Sequence, residues 1–166
     1  MLRTGEVWEG RWFALEALTY LYDHAKDAKD LEVALPAICD ALRTDASSRV
    51  RFRAADALWH TDGPLVVQAL LHALRHDADF EVRSYAAMIL GEKQDQAAIP
   101  GLVEALSDPE PWVRYYAARS LARVPSKEAL AGLEGHESDD VPWVIAMIRD
   151  AAQRLRNGPS AAVNQR

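Results

Sequence analysis

Three ten-residue segments of this chain superimpose without gaps: VRFRAADALW at 50–59, VRSYAAMILG at 82–91 and VRYYAARSLA at 113–122. Their valines, Val50, Val82 and Val113, are separated by 32 and then 31 residues. A unit of that length cannot bury its apolar face alone and must stack on copies of itself. In each segment the apolar groups fall at the valine, at two alanines four and five residues on, and at a leucine eight residues on. That spacing is one stripe of an amphipathic helix. The alanines Ala54, Ala86 and Ala117 add helix propensity and let a neighbouring helix approach closely.

A second set of segments follows the first. LPAICDALRTD (35–45), VQALLHALRHD (67–77) and IPGLVEALSDP (99–109) align at offsets of 32 and 32. Leu35/Ile38/Cys39/Leu42, Val67/Leu70/Leu71/Leu74 and Ile99/Leu102/Val103/Leu106 give them the same one-faced pattern, at i, i+3, i+4 and i+7. Cys39 stands where Leu71 and Val103 stand, so it reads as a small core residue rather than a reactive thiol. Breakers separate the helices in register: Gly63-Pro64, Gly91 and Val124-Pro125 between first and second helices, Pro109 and Pro111 before the fourth pair. With almost no alternation of the β type, the sequence predicts an all-α solenoid of about four helix pairs plus a C-terminal capping helix.

The ends follow by the same rule. RWFALEAL (11–18) matches RFRAADAL (51–58) at an offset of 40, which implies a longer first pair. Pro142-Trp143-Val144 repeats the start of the fourth pair and then drifts, as a capping helix does, and Asn157-Gly158-Pro159 stops it. The expected organisation is a single repeat domain over 1–157, with pairs at about 9–44, 46–77, 78–108 and 110–138, a cap at about 141–157 and a flexible tail over 158–166. Trp8, Trp12 and Phe13 are expected to seal its N-terminal end.

A formal net charge of -6 argues against a binder of nucleic acid or of anionic membrane, both of which need a basic face. Cys39 is the sole cysteine, which excludes an intrachain disulfide and fits a reducing, cytoplasmic setting. The N-terminal segment has no uninterrupted apolar core of the signal-peptide kind, and no apolar run approaches the ~20 residues of a membrane helix. A soluble, intracellular chain is expected.

The pattern of Asp, then Val-Arg five residues on, then paired alanines and a leucine, followed by a proline-containing second helix ending in Ala-Leu, resembles HEAT repeats. It is most similar to the short kind called PBS-lyase HEAT-like repeats. The resemblance covers about residues 10–156. It implies first helices on a convex side and second helices on a concave side that commonly holds the ligand. It implies no single activity, since the family includes scaffolds, bilin lyases, a metal-dependent hydroxylase and DNA glycosylase relatives.

The most regular polar feature is an Asp–Arg pairing. Asp45, Asp77 and Asp108 precede Arg51, Arg83 and Arg114, each of which is able to bridge an Asp of its own or the next repeat. The resemblance implies a structural ladder. Asp139 continues it, but Ile145 replaces the arginine, which suits an end cap. His72 and His76 lie at i, i+4 on one second helix, with Asp40 and Glu104 beside His72 in the repeat register and Asp108 near His76. Such a set is able to hold zinc, although a solvated polar row is the plainer reading, and no metal or other cofactor is expected. A hydroxylase of this family needs His-Glu pairs in first helices, where this chain has Ser84-Tyr85 and Tyr115-Tyr116; His136-Glu137 is the sole such pair and has no mate. A glycosylase-like face needs lysines and arginines, whereas only Arg43 and Arg75 lie near the row. Trp112 and Trp143 occupy matching helix starts, with Phe80 near the equivalent point, and are able either to cover the core ends or to anchor a partner.

These readings lead to a non-catalytic interaction scaffold or adaptor. The expected partner is a protein, held on the second-helix face by Asp40, Gln68, His72, His76 and Glu104 and at the edge by Trp112 and Trp143. Self-association through the end aromatics is a further possibility. The alternative is a tetrapyrrole (bilin) lyase or chaperone subunit of the PBS-lyase type, for which no nucleophile is identifiable.

Overall fold

The computed structural model describes residues 10–13, 16, 20 and 28–158. Residues 10–13, 16 and 20 are helical. The helices that follow are α1 (Ala28–Thr44), α2 (Ser48–Ala57), α3 (Pro64–His76), α4 (Phe80–Lys93), α5 (Ile99–Glu104), α6 (Pro111–Leu121), α7 (Lys127–Glu134) and α8 (Pro142–Asn157). Short 3₁₀ turns at Gln96–Ala98 and Ala105–Ser107 flank α5. Among the described residues there is no strand, and no helix is long and apolar enough to cross a membrane. Trp8 and the tail beyond Gly158 lie outside the described residues.

Local chemistry sets the helix starts. Pro64, Pro111 and Pro142 are each the first helical residue, where a missing N–H costs nothing and a fixed φ is already helical. Asp79 caps α4 by accepting from Glu81 N, and Ser126 caps α7 by accepting from Ala129 N. Gly63, at φ 133, holds a backbone conformation that a side chain would strain, so the turn into α3 needs glycine.

The helices form two layers. The second helices α1, α3, α5 and α7 pack side by side in that order, and α2, α4, α6 and α8 do the same in the other layer. The core runs continuously between them. Val50, Ala54 and Ala55 of α2 and Leu58 at its C-terminal cap are buried, as are the equivalent residues of α4 and α6, against Leu70, Leu102 and Leu133 of the second layer. Cys39 is 1% exposed among them, and burial pushes its thiol up to about 11, which removes it from thiolate chemistry.

Small residues fix the spacing. A Cβ on Gly132 would lie 2.6 Å from Val103 Cγ2, and the Cβ position of Gly101 is filled by the Leu71 side chain. Gly91 departs from expectation. It is not a breaker between helices but a buried residue inside α4, and the helix ends three residues later at Gln94, in the left-handed conformation at φ 52. A Cβ on Gly91 would meet Ser120 of α6 at 2.6 Å from Cβ and 2.8 Å from Cα, so glycine here permits close helix contact rather than a turn.

The Asp–Arg pairs tie successive units together. Arg51 donates to both carboxylate oxygens of Asp77, Arg83 to those of Asp108, and Arg114 to those of Asp139. Each arginine also donates through Nη1 to the main-chain carbonyl of the aspartate six residues before it: Asp45, Asp77 and Asp108 respectively. Each aspartate accepts in addition from the backbone N–H two residues on, at Ser47, Asp79, Glu110 and Val141. One guanidinium therefore grips the turn before its own helix by a carbonyl and the equivalent turn one repeat on by a carboxylate, which fixes the step between repeats. Arg11 extends the series backward, donating to Asp45 at 2.7 and 3.2 Å. At the other end Arg114 also reaches Asp140, and no arginine follows at Ile145.

Candidate functional site

Inward-facing Val67, Leu70, Ala73 and Leu74 on α3 leave the intervening positions in solvent. Gln68, His72 and His76 are exposed there, with Asp40 exposed on α1 and Glu104 on α5. Two similar clefts run between these helices. The one between α3 and α5 has a volume of about 270 Å³ and is crossed by an ion pair, Arg75 Nε donating to Glu104 Oε2 at 2.8 Å. The one between α1 and α3, about 210 Å³, is lined by Arg43, His72 and His76 together with Asp45, Arg51 and Asp77. No carboxylate crosses it. Arg43 Nη1 lies 3.8 Å from Asp40 on its own helix, and its Nε is buried with no hydrogen-bond partner.

The imidazoles of His72 and His76 meet edge to face, with centroids 5.0 Å apart. Burial, then the charges of His76 and Arg43, hold His72 below the usual imidazole value of 6.5, against an opposing pull from Asp77. The carboxylates that the repeat register places near these rings are directed elsewhere: Glu104 faces Arg75 and Asp108 accepts from Arg83. Among the described residues no three His, Cys, Asp or Glu side chains are grouped as metal ligands. His136 is held by its own neighbourhood, with Nδ1 2.8 Å from the Gly132 carbonyl and Nε2 3.0 Å from Ser107 Oγ.

The aromatic edge is a cluster of four rings. Trp112 and Trp143 lie 4.6 Å apart, and Tyr115 sits 6.0 Å from Trp112 and 5.5 Å from Trp143. Tyr116 lies 5.4 Å from Tyr115. The two tryptophans are 48% and 39% exposed, so they cover the junction of α6 and α8 while presenting ring surface to solvent. Phe80, also 39% exposed, is the corresponding residue at the start of α4. At the N-terminal end Arg53 lies over the Trp12 ring at 5.9 Å, whereas Phe13 is 70% exposed and so does not seal the end as expected.

Two features carry weight that sequence reasoning did not give them. Arg11 belongs to the ladder, and its alignment with Arg51 already carried the signal. The buried, unsatisfied Nε of Arg43 had no such signal, because it depends on what packs around that one nitrogen in three dimensions.

A family model described as HEAT repeats matches residues 1–83 and again 67–153. No functionally curated protein matches the chain. Among solved structures, human deoxyhypusine hydroxylase in complex with glycerol is similar, with a TM-score of 0.68 and 26% identity. The match covers 75% of this chain and 44% of that one, so this chain spans less than half the length of the hydroxylase.

Proposed function

Since the chain belongs to the HEAT-repeat family, we propose that it is a non-catalytic scaffold that holds a protein partner on its second-helix face, in the cytoplasm. One observation carries this reading. The polar residues that repeat regularly, the ladder arginines and aspartates, are consumed by contacts between units, while the irregular ones, Asp40, Gln68, His72, His76 and Glu104, stand exposed along one layer. Stacked units make such a layer a continuous surface, and residues that break the repeat are the ones able to give it specificity. The tryptophan edge supplies a second set of anchors of the type that dominates interfaces.

The likeness to deoxyhypusine hydroxylase supports the architecture and does not bring its activity to this chain. The first helices here carry Ser84-Tyr85 and Tyr115-Tyr116 at the positions where the family resemblance calls for His-Glu pairs. Tyr85 is engaged in packing, stacked on Phe52 at 4.4 Å and donating to Asp56.

The test is affinity capture from native lysate with the wild type and with a His72→Asp/Glu104→Lys variant. The expected result is a partner recovered by the wild type and lost by the variant. Identical partner profiles contradict this face as the binding surface.

A further inference from the structure

The internal repeat supplies its own control for the cleft between α1 and α3. At the offset of 32 residues Arg43 corresponds to Arg75, and His72 corresponds to Glu104. Between α3 and α5 the arginine meets its carboxylate at 2.8 Å across the cleft. Between α1 and α3 the same arginine meets an imidazole position instead, and its buried Nε donates to nothing. The contact with Asp40 does not replace the missing bond, since it is made by Nη1 at 3.8 Å and the Asp40 side chain is 72% exposed. A buried N–H without an acceptor is costly, and the guanidinium that carries it lines the cleft without a carboxylate across from it.

The other charged groups facing the cleft are already matched. Asp45 accepts two bonds from Arg11, and Asp77 accepts two from Arg51. What remains facing solvent is the Arg43 guanidinium and the two imidazoles of His72 and His76, which lie 5.0 Å apart. We infer that this cleft is an oxyanion subsite, occupied by the carboxylate or phosphate of an acidic or phosphorylated side chain of the partner. The inference rests on the scaffold reading for the source of that side chain, but the subsite itself is a property of the free chain. A bound oxyanion would pair with the solvent-facing part of the Arg43 guanidinium, as Glu104 pairs with Arg75, and would favour protonation of His72.

The experiment uses the full chain and two probes, N-acetylglutamate methylamide and inorganic phosphate, followed by NMR of the Arg43 Nε–H and the His72 ring at constant ionic strength. The expected result is a saturable shift of Arg43 Nε–H with at least one probe, at a Kd on the order of 1 mM, and an upward move of the His72 titration. Response to the glutamate probe alone, to phosphate alone or to both identifies the kind of side chain. Arg43→Gln abolishes the response, and His72→Glu, which recreates the Arg75–Glu104 arrangement, weakens it about tenfold or more. Asp40→Asn strengthens it by removing a competing carboxylate, a gain that misfolding cannot produce. No saturable shift in the wild type, or a shift unchanged in His72→Glu, overturns the inference. Because no partner protein is involved, that failure would leave the role of Glu104 in partner capture standing, and loss of the scaffold reading would leave the titration unchanged.

Discussion

Arg51 and Asp77, 26 residues apart in sequence, are joined by two parallel N–H···O bonds of 2.7 Å each, while Arg51 Nη1 donates to the Asp45 carbonyl at 2.8 Å. One side chain thus measures the distance between two successive turns of the repeat, at Asp45 and at Asp77. The arrangement recurs at Arg83 and Arg114 with separations of 25 residues to the carboxylate, which is why the stack is regular although its second-layer surface is not.

Removing one partner leaves a charge without compensation. The Arg51 and Asp77 side chains are 13% and 3% exposed, so Asp77→Ala should destabilise the fold by about 3 kcal/mol, with loss of the bond to Asp79 N included. Arg51→Met combined with Asp77→Leu should cost less than Asp77→Ala alone, since no buried charge is stranded. Urea denaturation of the three proteins checks this; equal losses would show that the pair contributes no more than a surface contact.

Asp139 gives the ladder a pH dependence. Burial alone would raise its carboxyl pKa, but bonds from Arg114 and from Val141 N outweigh burial and hold it below the ordinary 3.8. A depressed folded pKa means that its contribution is complete above the unfolded value and is lost as pH falls through the folded one. Stability should therefore decline below about pH 4, and Asp139→Asn should be less stable at neutral pH yet show a shallower acid decline. Melting curves taken from neutral to strongly acid pH test the sign; an unchanged acid slope in the variant contradicts it.

Gly91→Ala should destabilise by about 1–3 kcal/mol despite the better helix propensity of alanine, because the new methyl overlaps the backbone and Cβ of Ser120. Ser120→Ala does not relieve it, since the Cα and Cβ remain, and it also removes the bond from Ser120 Oγ to the Ala87 carbonyl at 2.8 Å. A stabilised Gly91→Ala protein would mean that α4 and α6 are further apart than described.

The glycine marks where the sequence stops being legible. The stripes of Val50, Ala54 and Leu58 and their repeats are set by helix period and burial, so they can be read from spacing alone. Gly91 sits at the end of such a stripe, where a breaker and a close-contact glycine look identical; only the neighbouring Ser120 distinguishes them. The ladder was visible as a pattern, but which unit each arginine grips is decided by three-dimensional stacking. Arg43 is the extreme case, because its composition and position match those of Arg75 and its difference lies wholly in what faces it.

Trp112 and Trp143 should couple. Their 4.6 Å ring contact spans α6 and α8, so a double-mutant cycle with Trp112→Leu and Trp143→Leu should return about 0.5–1.5 kcal/mol of interaction energy. Each is also partly exposed, so acrylamide should quench their fluorescence in the free protein. Additive losses would show that the rings act independently as covers of the core.

Hydrogen–deuterium exchange of the chain, free and bound to the captured partner, tests the scaffold claim most directly. Added protection is expected in α1, α3 and α5, the helices that carry Asp40, Gln68, His72, His76 and Glu104, with α2 and α4 unchanged. Protection confined to α2 and α4, or none anywhere in α1, α3 and α5, would contradict it.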